Sequence, residues 1–245
     1  LVTEPDITTP EQAVNFATEL QRILRYLDAS DADMEHGQMR VEANISVREV
    51  GVAKLGTKVE VKNLNSFRVV SDAIKYEVKR QIEVLEKGEK VVQETRGWDE
   101  NKNKTVSQRL KEEAHDYRYF PEPDIPPLFL PESGFDLEKL KLELPELPRA
   151  KLERFVREYS LNHVQARLIV ADKQMADYYE NALSELATEE KGKTAEARVL
   201  LFNYFTSDFW GLLKEKEIEI KDTKVSAENF ADLIMLIVTG QLSSR

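Results

Sequence analysis

Cysteine is absent from the 245-residue sequence, which excludes disulfides, thiol nucleophiles and cysteine-bound zinc or iron–sulfur sites. A long apolar run is also missing, since the longest aliphatic stretch, residues 233–238, is far below the roughly 20 residues needed to cross a bilayer. No basic and apolar signal segment opens the chain. The sequence therefore predicts a cytoplasmic protein with no membrane contact, whose chemistry uses oxygen and nitrogen groups or borrowed cofactors.

An excess of positive charge is lacking too, because 45 acidic side chains outnumber 35 basic ones and the net charge is −10. Non-specific nucleic-acid binding depends on many lysine and arginine contacts with phosphates. A nucleic-acid partner would therefore have to be held by a local group of basic residues.

The first part of the sequence mixes helical and strand patterns. Thr9, Pro10 and Gln12 have the spacing of a helix N-cap, a first helical position and a capping box, and an apolar stripe follows them. A second helix is predicted from Phe67 until Gly88. A hairpin is predicted over residues 91–110.

Two segments between these helices, residues 40–48 and 58–62, alternate apolar and polar side chains with the period of a strand and predict a hairpin. Lysine and arginine neutralise phosphates, and carboxylates with amides can hold Mg²⁺ and its waters, so the polar side could line a binding cavity. A solvated face with cross-strand ion pairs explains the same pattern. This polar face comprises Arg40, Glu42, Asn44, Ser46, Arg48, Lys58, Glu60 and Lys62.

The short segment before the second helix has a similar double interpretation. Free backbone N–H groups at a helix N-terminus attract anions, and Asn63, Asn65 and Ser66 add polar groups there. Helix capping alone would explain Asn65 or Ser66. The elements of this first part together predict an α+β fold with an antiparallel sheet.

Seven of the nine prolines lie in residues 121–148. Proline lacks a backbone N–H and restricts the residue before it, so this segment predicts a stiff connector with a domain boundary inside it. Beyond it the apolar residues have helical spacing throughout, which predicts an all-α helical domain.

Just before the prolines, His115, Asp116, Arg118 and Tyr119 form a dense group in a chain with three histidines. This density favours a functional segment. An irregular segment held by packed aromatic rings, with Arg118 in a structural salt bridge, is an equal alternative.

Residues 111–128 (Lys-Glu-Glu-Ala-His-Asp-Tyr-Arg-Tyr-Phe-Pro-Glu-Pro-Asp-Ile-Pro-Pro-Leu) resemble the signature of GatB, the family of B subunits of the aspartyl/glutamyl-tRNA amidotransferases. Strings at residues 4–6, 34–46, 56–67 and 93–99 support the resemblance, in the order that the family has them. The resemblance is specific over residues 2–128 and looser over the helical remainder.

The resemblance implies an ATP-dependent carbon–nitrogen ligase that converts misacylated Glu-tRNA(Gln) or Asp-tRNA(Asn) to Gln-tRNA(Gln) or Asn-tRNA(Asn). ATP with Mg²⁺ phosphorylates the side-chain carboxylate, and ammonia that the A subunit releases from glutamine displaces the phosphate. The implied cofactors are ATP and Mg²⁺. The implied partners are the misacylated tRNA and the A and C subunits of the amidotransferase.

The resemblance also implies which residues surround the reaction. Lys58, Lys62 and Arg118 are assigned to phosphates, Glu42 to Mg²⁺ or its water shell, and Glu60 to the metal as a second ligand. Glu42 and these three basic residues are the expected catalytic group. The other expected binding residues are Arg40, Asn44, Ser46, Asn63, Asn65, Ser66, His115, Asp116 and Tyr119.

Compared with that family, the sequence looks like an internal fragment, since it begins with Leu1 rather than Met and the helical tail domain that the family has stops here near Gln241. The family has an N-terminal portion with metal-binding carboxylates and a histidine, so we expect the chain by itself to be inactive. The expected domains are residues 1–130, the C-terminal part of a cradle domain holding the active site, 131–225, a helical domain, and 226–245, the start of a tail domain.

A non-catalytic tRNA-docking or assembly module of the same complex is the alternative. In that case the polar face would contact the A subunit or the RNA backbone, and ATP binding separates the two interpretations.

Overall fold

The computed structural model describes residues 1–110, 121–129, 134, 136–190, 192 and 194–243. The chain divides into two compact units, Leu1–Pro145 and Glu146–Arg245, and the division falls inside the proline-rich segment. The family-based division at residues 130 and 225 stays a prediction. The elements of the first unit are α1 (Pro10–Tyr26), β1 (Val41–Ile45), β2 (Val59–Leu64), α2 (Phe67–Glu86), β3 (Glu94–Asp99), β4 (Lys104–Leu110) and α3 (Leu137–Glu143).

Helix α1 begins with the predicted capping box. Thr9 Oγ1 accepts a hydrogen bond from the Gln12 backbone N–H at 3.1 Å, and Gln12 Oε1 accepts one from the Thr9 N–H at 3.2 Å. Pro10 takes the first helical position, where its missing N–H costs nothing. The local sequence therefore determines where this helix starts.

The four strands form one sheet in the order β1-β2-β3-β4. The two predicted hairpins are confirmed, because β1 pairs antiparallel with β2 and β3 pairs antiparallel with β4. The prediction of a purely antiparallel sheet is wrong, because β2 and β3 run parallel. Helix α2 connects these two strands and returns the chain to the end where β2 began, so β3 has the direction of β2. The fold of this unit is α+β with a mixed sheet.

One face of the sheet packs against α2. Val59 and Val61 of β2 are fully buried, and Val69, Val70 and Ala73 of α2 lie in the same apolar cluster. This is the apolar side that the alternating pattern predicts. The polar side chains of β1 and β2 are consequently on the opposite face of the sheet.

A buried polar network lies on the same side as α2. Glu77 of α2 is fully buried, and its carboxylate accepts hydrogen bonds from Arg80 Nη2 at 2.6 Å, Gln81 Nε2 at 3.0 Å and Thr105 Oγ1 at 2.9 Å. Burial by itself would raise the pKa of Glu77, but these hydrogen bonds, led by that of Arg80, outweigh it and lower the pKa below its ordinary value. Glu77 therefore stays ionised inside the unit.

Arg96 of β3 joins this network from the sheet. Its guanidinium donates to Glu94 Oε1 at 2.5 Å and to Thr105 Oγ1 at 2.8 Å, and its Nε lies 3.6 Å from Glu77 Oε2. The network thus links α2 to β3 and β4 through charged hydrogen bonds in addition to apolar contacts.

The described residues of the second unit form helices and no strand, as the apolar spacing predicts. Tyr178, Phe205, Phe209 and Phe230 make its aromatic core, with ring centroids 5.0 Å apart for Tyr178 and Phe209. No helix in the described part of the chain is long and apolar enough to cross a membrane. The helices are α4 (Pro148–Tyr159), α5 (His163–Val170), α6 (Lys173–Leu186), α7 (Ala195–Asn203), α8 (Trp210–Glu215) and α9 (Ala227–Val238), with a π-helical turn over Tyr204–Phe209.

An ionic cluster ties α4 to α6. Glu180 of α6 accepts hydrogen bonds from Arg154 Nη2 at 3.0 Å and from the Tyr159 hydroxyl at 2.9 Å, and Lys151 Nζ lies 3.2 Å away. Arg154 also donates to both carboxylate oxygens of Glu146. Burial opposes ionisation of Glu180, but these donors outweigh it and lower its pKa to about 2.

We expect Glu180→Gln to remove an acid-sensitive part of the stability of the helical unit. The folded-state pKa of Glu180 is below its ordinary value of 4.5, so its contribution is present above about pH 4.5 and is lost as the pH falls toward 2. Urea unfolding followed by circular dichroism should show a lower midpoint for the variant at pH 7 and a smaller fall with acid. Glu153→Gln, at an exposed pair with Arg149, is the control that should behave as the unmodified chain. Equal acid dependence with and without Glu180 would contradict this assignment.

Candidate functional site

The centre of the polar face is an ionic group of three side chains on β1 and β2. Lys62 Nζ lies 3.1 Å from Glu42 Oε1 and 3.8 Å from Glu60 Oε1. The side chains of Glu42 and Lys62 are 46% and 40% exposed, whereas that of Glu60 is 15% exposed. A predicted cross-strand ion pair is therefore present between Glu42 of β1 and Lys62 of β2, where a solute can reach it, whereas Lys62 and Glu60 lie on the same strand.

A bulge in β2 explains why these side chains meet. Val41 pairs with Leu64 and Ala43 with Val61, so β2 has one residue more than β1 between these pairs. Asn63 takes up the extra length with φ of 62°, in the left-handed region that asparagine tolerates better than most residues. The bulge leaves Glu42 opposite Lys62 and Asn63.

Strand β3 supplies a residue to this site that the sequence reasoning missed. Glu60 is paired with Thr95, and Thr95 Oγ1 donates a hydrogen bond to Glu60 Oε2 at 2.9 Å. Thr95 was missed because the sequence predicts an antiparallel sheet. In such a sheet β3 would run in the opposite direction to β2, and this pairing of Thr95 with Glu60 would not be expected. Its presence in the string at residues 93–99 was the available signal.

Gly97 lies next along β3, paired with Lys62. A Cβ at this position would come within 2.2 Å of Gln108 Nε2 and 3.1 Å of Asn63 Nδ2. The absence of a side chain at Gly97 therefore lets the amides of Gln108 and Asn63 lie over the strand. Gln108 is a second polar-face residue that the sequence reasoning missed.

The other predicted residues of the polar face lie toward its ends. The register places Ser46 and Lys58 at one end of the β1–β2 pair, and Arg40 and Asn65 at the other. Arg40 and Ser46 are six residues apart, or roughly 20 Å at about 3.3 Å per strand residue. A single phosphate group cannot contact both ends. Asn44 is paired with Glu60 and is exposed on the central part.

Ser66 has an identifiable structural role. Its Oγ accepts a hydrogen bond from the Val69 N–H at 3.2 Å, so it is the N-cap of α2. The capping interpretation is therefore sufficient for Ser66. Asn65 is exposed just before this cap.

The segment that holds His115, Asp116, Arg118 and Tyr119 lies outside the described residues. The assignment of Arg118 to phosphate and of the other three side chains to the binding site stays a prediction.

The predicted metal ligands, Glu42 and Glu60, both have an oxygen near the Lys62 ammonium. Among the described residues no group of three or more acidic or histidine side chains could hold a metal ion. Mg²⁺ is commonly bound by one or two carboxylates, with waters and phosphates completing its octahedral shell. The pair fits such a partial ligand set and does not form a complete protein cage.

Comparison with known proteins identifies a family that this chain resembles along its whole length. Residues 1–136 match the family model described as "GatB/GatE catalytic domain". Similar curated proteins are the B subunits of the aspartyl/glutamyl-tRNA(Asn/Gln) amidotransferases of Rickettsia conorii, 44% identical over all 245 residues, and of Thermoanaerobacter sp. strain X514, 43% identical over 243.

The alignments cover a much larger share of this chain than of these relatives. The alignments cover 100% and 99% of this chain but 48% and 49% of the two relatives, and 50% of a third, from Persephonella marina, at 44% identity. The chain therefore spans about half the length of the curated relatives it matches. Because the family model covers more than half of its residues, the chain belongs to the GatB/GatE catalytic domain family.

Proposed function

We propose that this chain is part of a subunit that amidates misacylated Glu-tRNA(Gln), Asp-tRNA(Asn) or both, through an ATP-activated acyl phosphate. The observation that carries the proposal is the ionic group of Glu42, Lys62 and Glu60, with Glu42 and Lys62 exposed, on the polar face of a chain in the GatB/GatE family. A carboxylate is a poor acyl donor to ammonia until one of its oxygens has become part of a phosphate leaving group. The proposed site therefore has to bind and neutralise phosphates.

Lys62 is the residue we assign to phosphate. Phosphoryl transfer depends on positioning and charge neutralisation more than on covalent participation by the protein. Glu42 and Glu60 hold the Lys62 ammonium at the centre of the polar face, and the half-exposed side chain can turn toward an incoming anion. Lys58 lies at one end of the strand pair, where it would contact a different part of the nucleotide.

Mg²⁺ is the second element of the proposal. Glu42 and Glu60 would hold it together with water and phosphate oxygens. The cation supplies charge neutralisation for the transferred phosphoryl group. Glu42 and Glu60 would then be the residues that hold the metal, and the Lys62 side chain would contact the phosphates.

The partners in this proposal come from the family to which the chain belongs. We propose that the protein works in the cytoplasm with the A and C subunits of the amidotransferase, in a complex where the acyl phosphate meets ammonia before water hydrolyses it. The A subunit hydrolyses glutamine to supply the ammonia, and the misacylated tRNA brings the carboxylate. The alternative of a non-catalytic docking module predicts that no nucleotide binds at the polar face.

Lys62→Ala should reduce ATP-dependent amidation about 100-fold or more in the whole protein assembled with its partner subunits, because the phosphates lose their central cation. Hydrolysis of glutamine by the A subunit should continue. Lys75→Ala is the matched control, since this lysine of α2 forms an exposed ion pair with Glu11 away from the polar face. We expect its amidation rate to equal that of the unmodified protein.

Unchanged amidation with Lys62→Ala would contradict the phosphate assignment. If Lys62→Ala instead lost tRNA binding and left ATP binding by the complex unchanged, no nucleotide would contact Lys62, which would support the docking module. Arg118→Ala is expected to have the same effect as Lys62→Ala, which would test the segment at residues 115–119.

The helical unit should bind tRNA weakly. Lys151 and Arg154, two of its basic residues, are held by Glu146, Asp177 and Glu180 and are not available to phosphates. With a net charge of −10 on the whole chain, we expect weak affinity and a salt dependence that corresponds to only a few phosphate contacts. Titration of tRNA into the chain at low and moderate salt measures both quantities. Tight binding that hardly changes with salt would contradict this expectation.

A further inference from the structure

Two threonines on neighbouring strands make the same type of contact on opposite faces of the sheet. Thr95 of β3 donates to Glu60 Oε2 on the polar face, and Thr105 of β4 donates to Glu77 Oε2 on the face toward α2. Both hydrogen bonds are 2.9 Å long, and the two residues are 7% and 2% exposed. They therefore allow a direct comparison between a site contact and a structural contact.

The contact of Thr95 divides the two oxygens of the Glu60 carboxylate between different neighbours. Oε2 accepts the hydroxyl of Thr95, and Oε1 faces Lys62 Nζ at 3.8 Å. A glutamate side chain has three rotatable bonds, and a hydrogen bond to one oxygen removes much of the freedom of the other. Thr95 is itself fixed, because its β-branched side chain has few rotamers and its neighbour Arg96 is held in the buried network.

We propose that Thr95 is a positioning residue of the polar-face site, which acts through Glu60. Its hydroxyl holds Oε2 of the carboxylate so that Oε1 faces Lys62 on the polar face, where Glu60 would help to hold a divalent cation. This inference rests on the proposed function, because it concerns the same phosphate- and Mg²⁺-binding site. It adds a residue on β3 that touches neither phosphate nor metal.

Without the Thr95 hydroxyl, the Glu60 carboxylate would be less well ordered. Thr95→Val keeps the shape and the β-branch of the side chain but cannot donate a hydrogen bond. Glu60 Oε2 then loses this donor in a largely buried position, and the carboxylate turns toward another partner. Residues that orient a metal-binding or catalytic group in this way typically affect activity about 10- to 100-fold when they are changed.

The experiment compares Thr95→Val, Thr95→Ser and Thr105→Val in the whole protein assembled with its partner subunits. ATP-dependent amidation should fall about tenfold or more with Thr95→Val and return to within about twofold of the unmodified rate with Thr95→Ser, which keeps the hydroxyl. Thr105→Val removes a donor from buried Glu77 and should lower the thermal unfolding midpoint by several degrees. Its amidation rate, measured well below that midpoint, should fall much less than that of Thr95→Val, because Arg96 keeps its hydrogen bond to Glu94 and Thr95 keeps its contact with Glu60.

Each outcome has a definite meaning when Lys62→Ala is measured alongside. If Lys62→Ala loses amidation and Thr95→Val does not, the positioning role of Thr95 is wrong and the proposed function stands. If neither variant loses amidation, both proposals are wrong. Equal losses with Thr95→Ser and Thr95→Val would mean that the hydroxyl is not the acting group. A fall in the unfolding midpoint with Thr95→Val as large as that of Thr105→Val, with normal amidation at low temperature, would assign Thr95 a structural role only.

Discussion

The structure of the first unit depends on the buried, ionised carboxylate of Glu77. Glu77 is fully buried in α2, and three side-chain donors from Arg80, Gln81 and Thr105 are needed to keep it ionised there. If α2 were displaced, the Glu77 carboxylate would lose these donors. Keeping it buried and ionised without them would cost several kcal/mol. Because Thr105 and Arg96 belong to the sheet, this requirement fixes the position of α2 over β3 and β4 much more narrowly than apolar contact alone.

The contacts around buried Glu77 also affect the polar face, because β3 has side chains on both faces of the sheet. Thr95 and Arg96 are adjacent in sequence, and the sheet places their side chains on opposite faces. Arg96 is held by Glu94 and Thr105 on the side of α2, while Thr95 holds Glu60 on the other side. A strand that is fixed on one face therefore provides a fixed donor on the other, and the orientation of Glu60 depends on packing beneath the sheet.

The sequence predicted the local elements well, because their signals are local. The capping box at Thr9, the hairpins and the apolar face of β1 and β2 all follow from spacing within a few residues. It did not predict that β3 runs parallel to β2, since strand pairing across a 20-residue helix depends on tertiary packing. That one relation brings Thr95 and Gly97 beside Glu60 and Lys62, so the β3 half of the candidate site could not be found from alternation on β1 and β2 alone.

Both faces of the sheet have ion pairs between a basic residue and a glutamate, but the pairs differ in burial. Arg96 and Glu77 are 13% and 0% exposed, and removing one partner of such a buried pair typically costs about 3–5 kcal/mol. Lys62 and Glu42 are 40% and 46% exposed, and a pair in that environment is worth about 1 kcal/mol or less. Lys62 can therefore leave Glu42 for another partner at little cost, whereas Arg96 cannot leave Glu77. The difference in burial, and not the difference between lysine and arginine, makes the polar face the side of the sheet that is suited to binding.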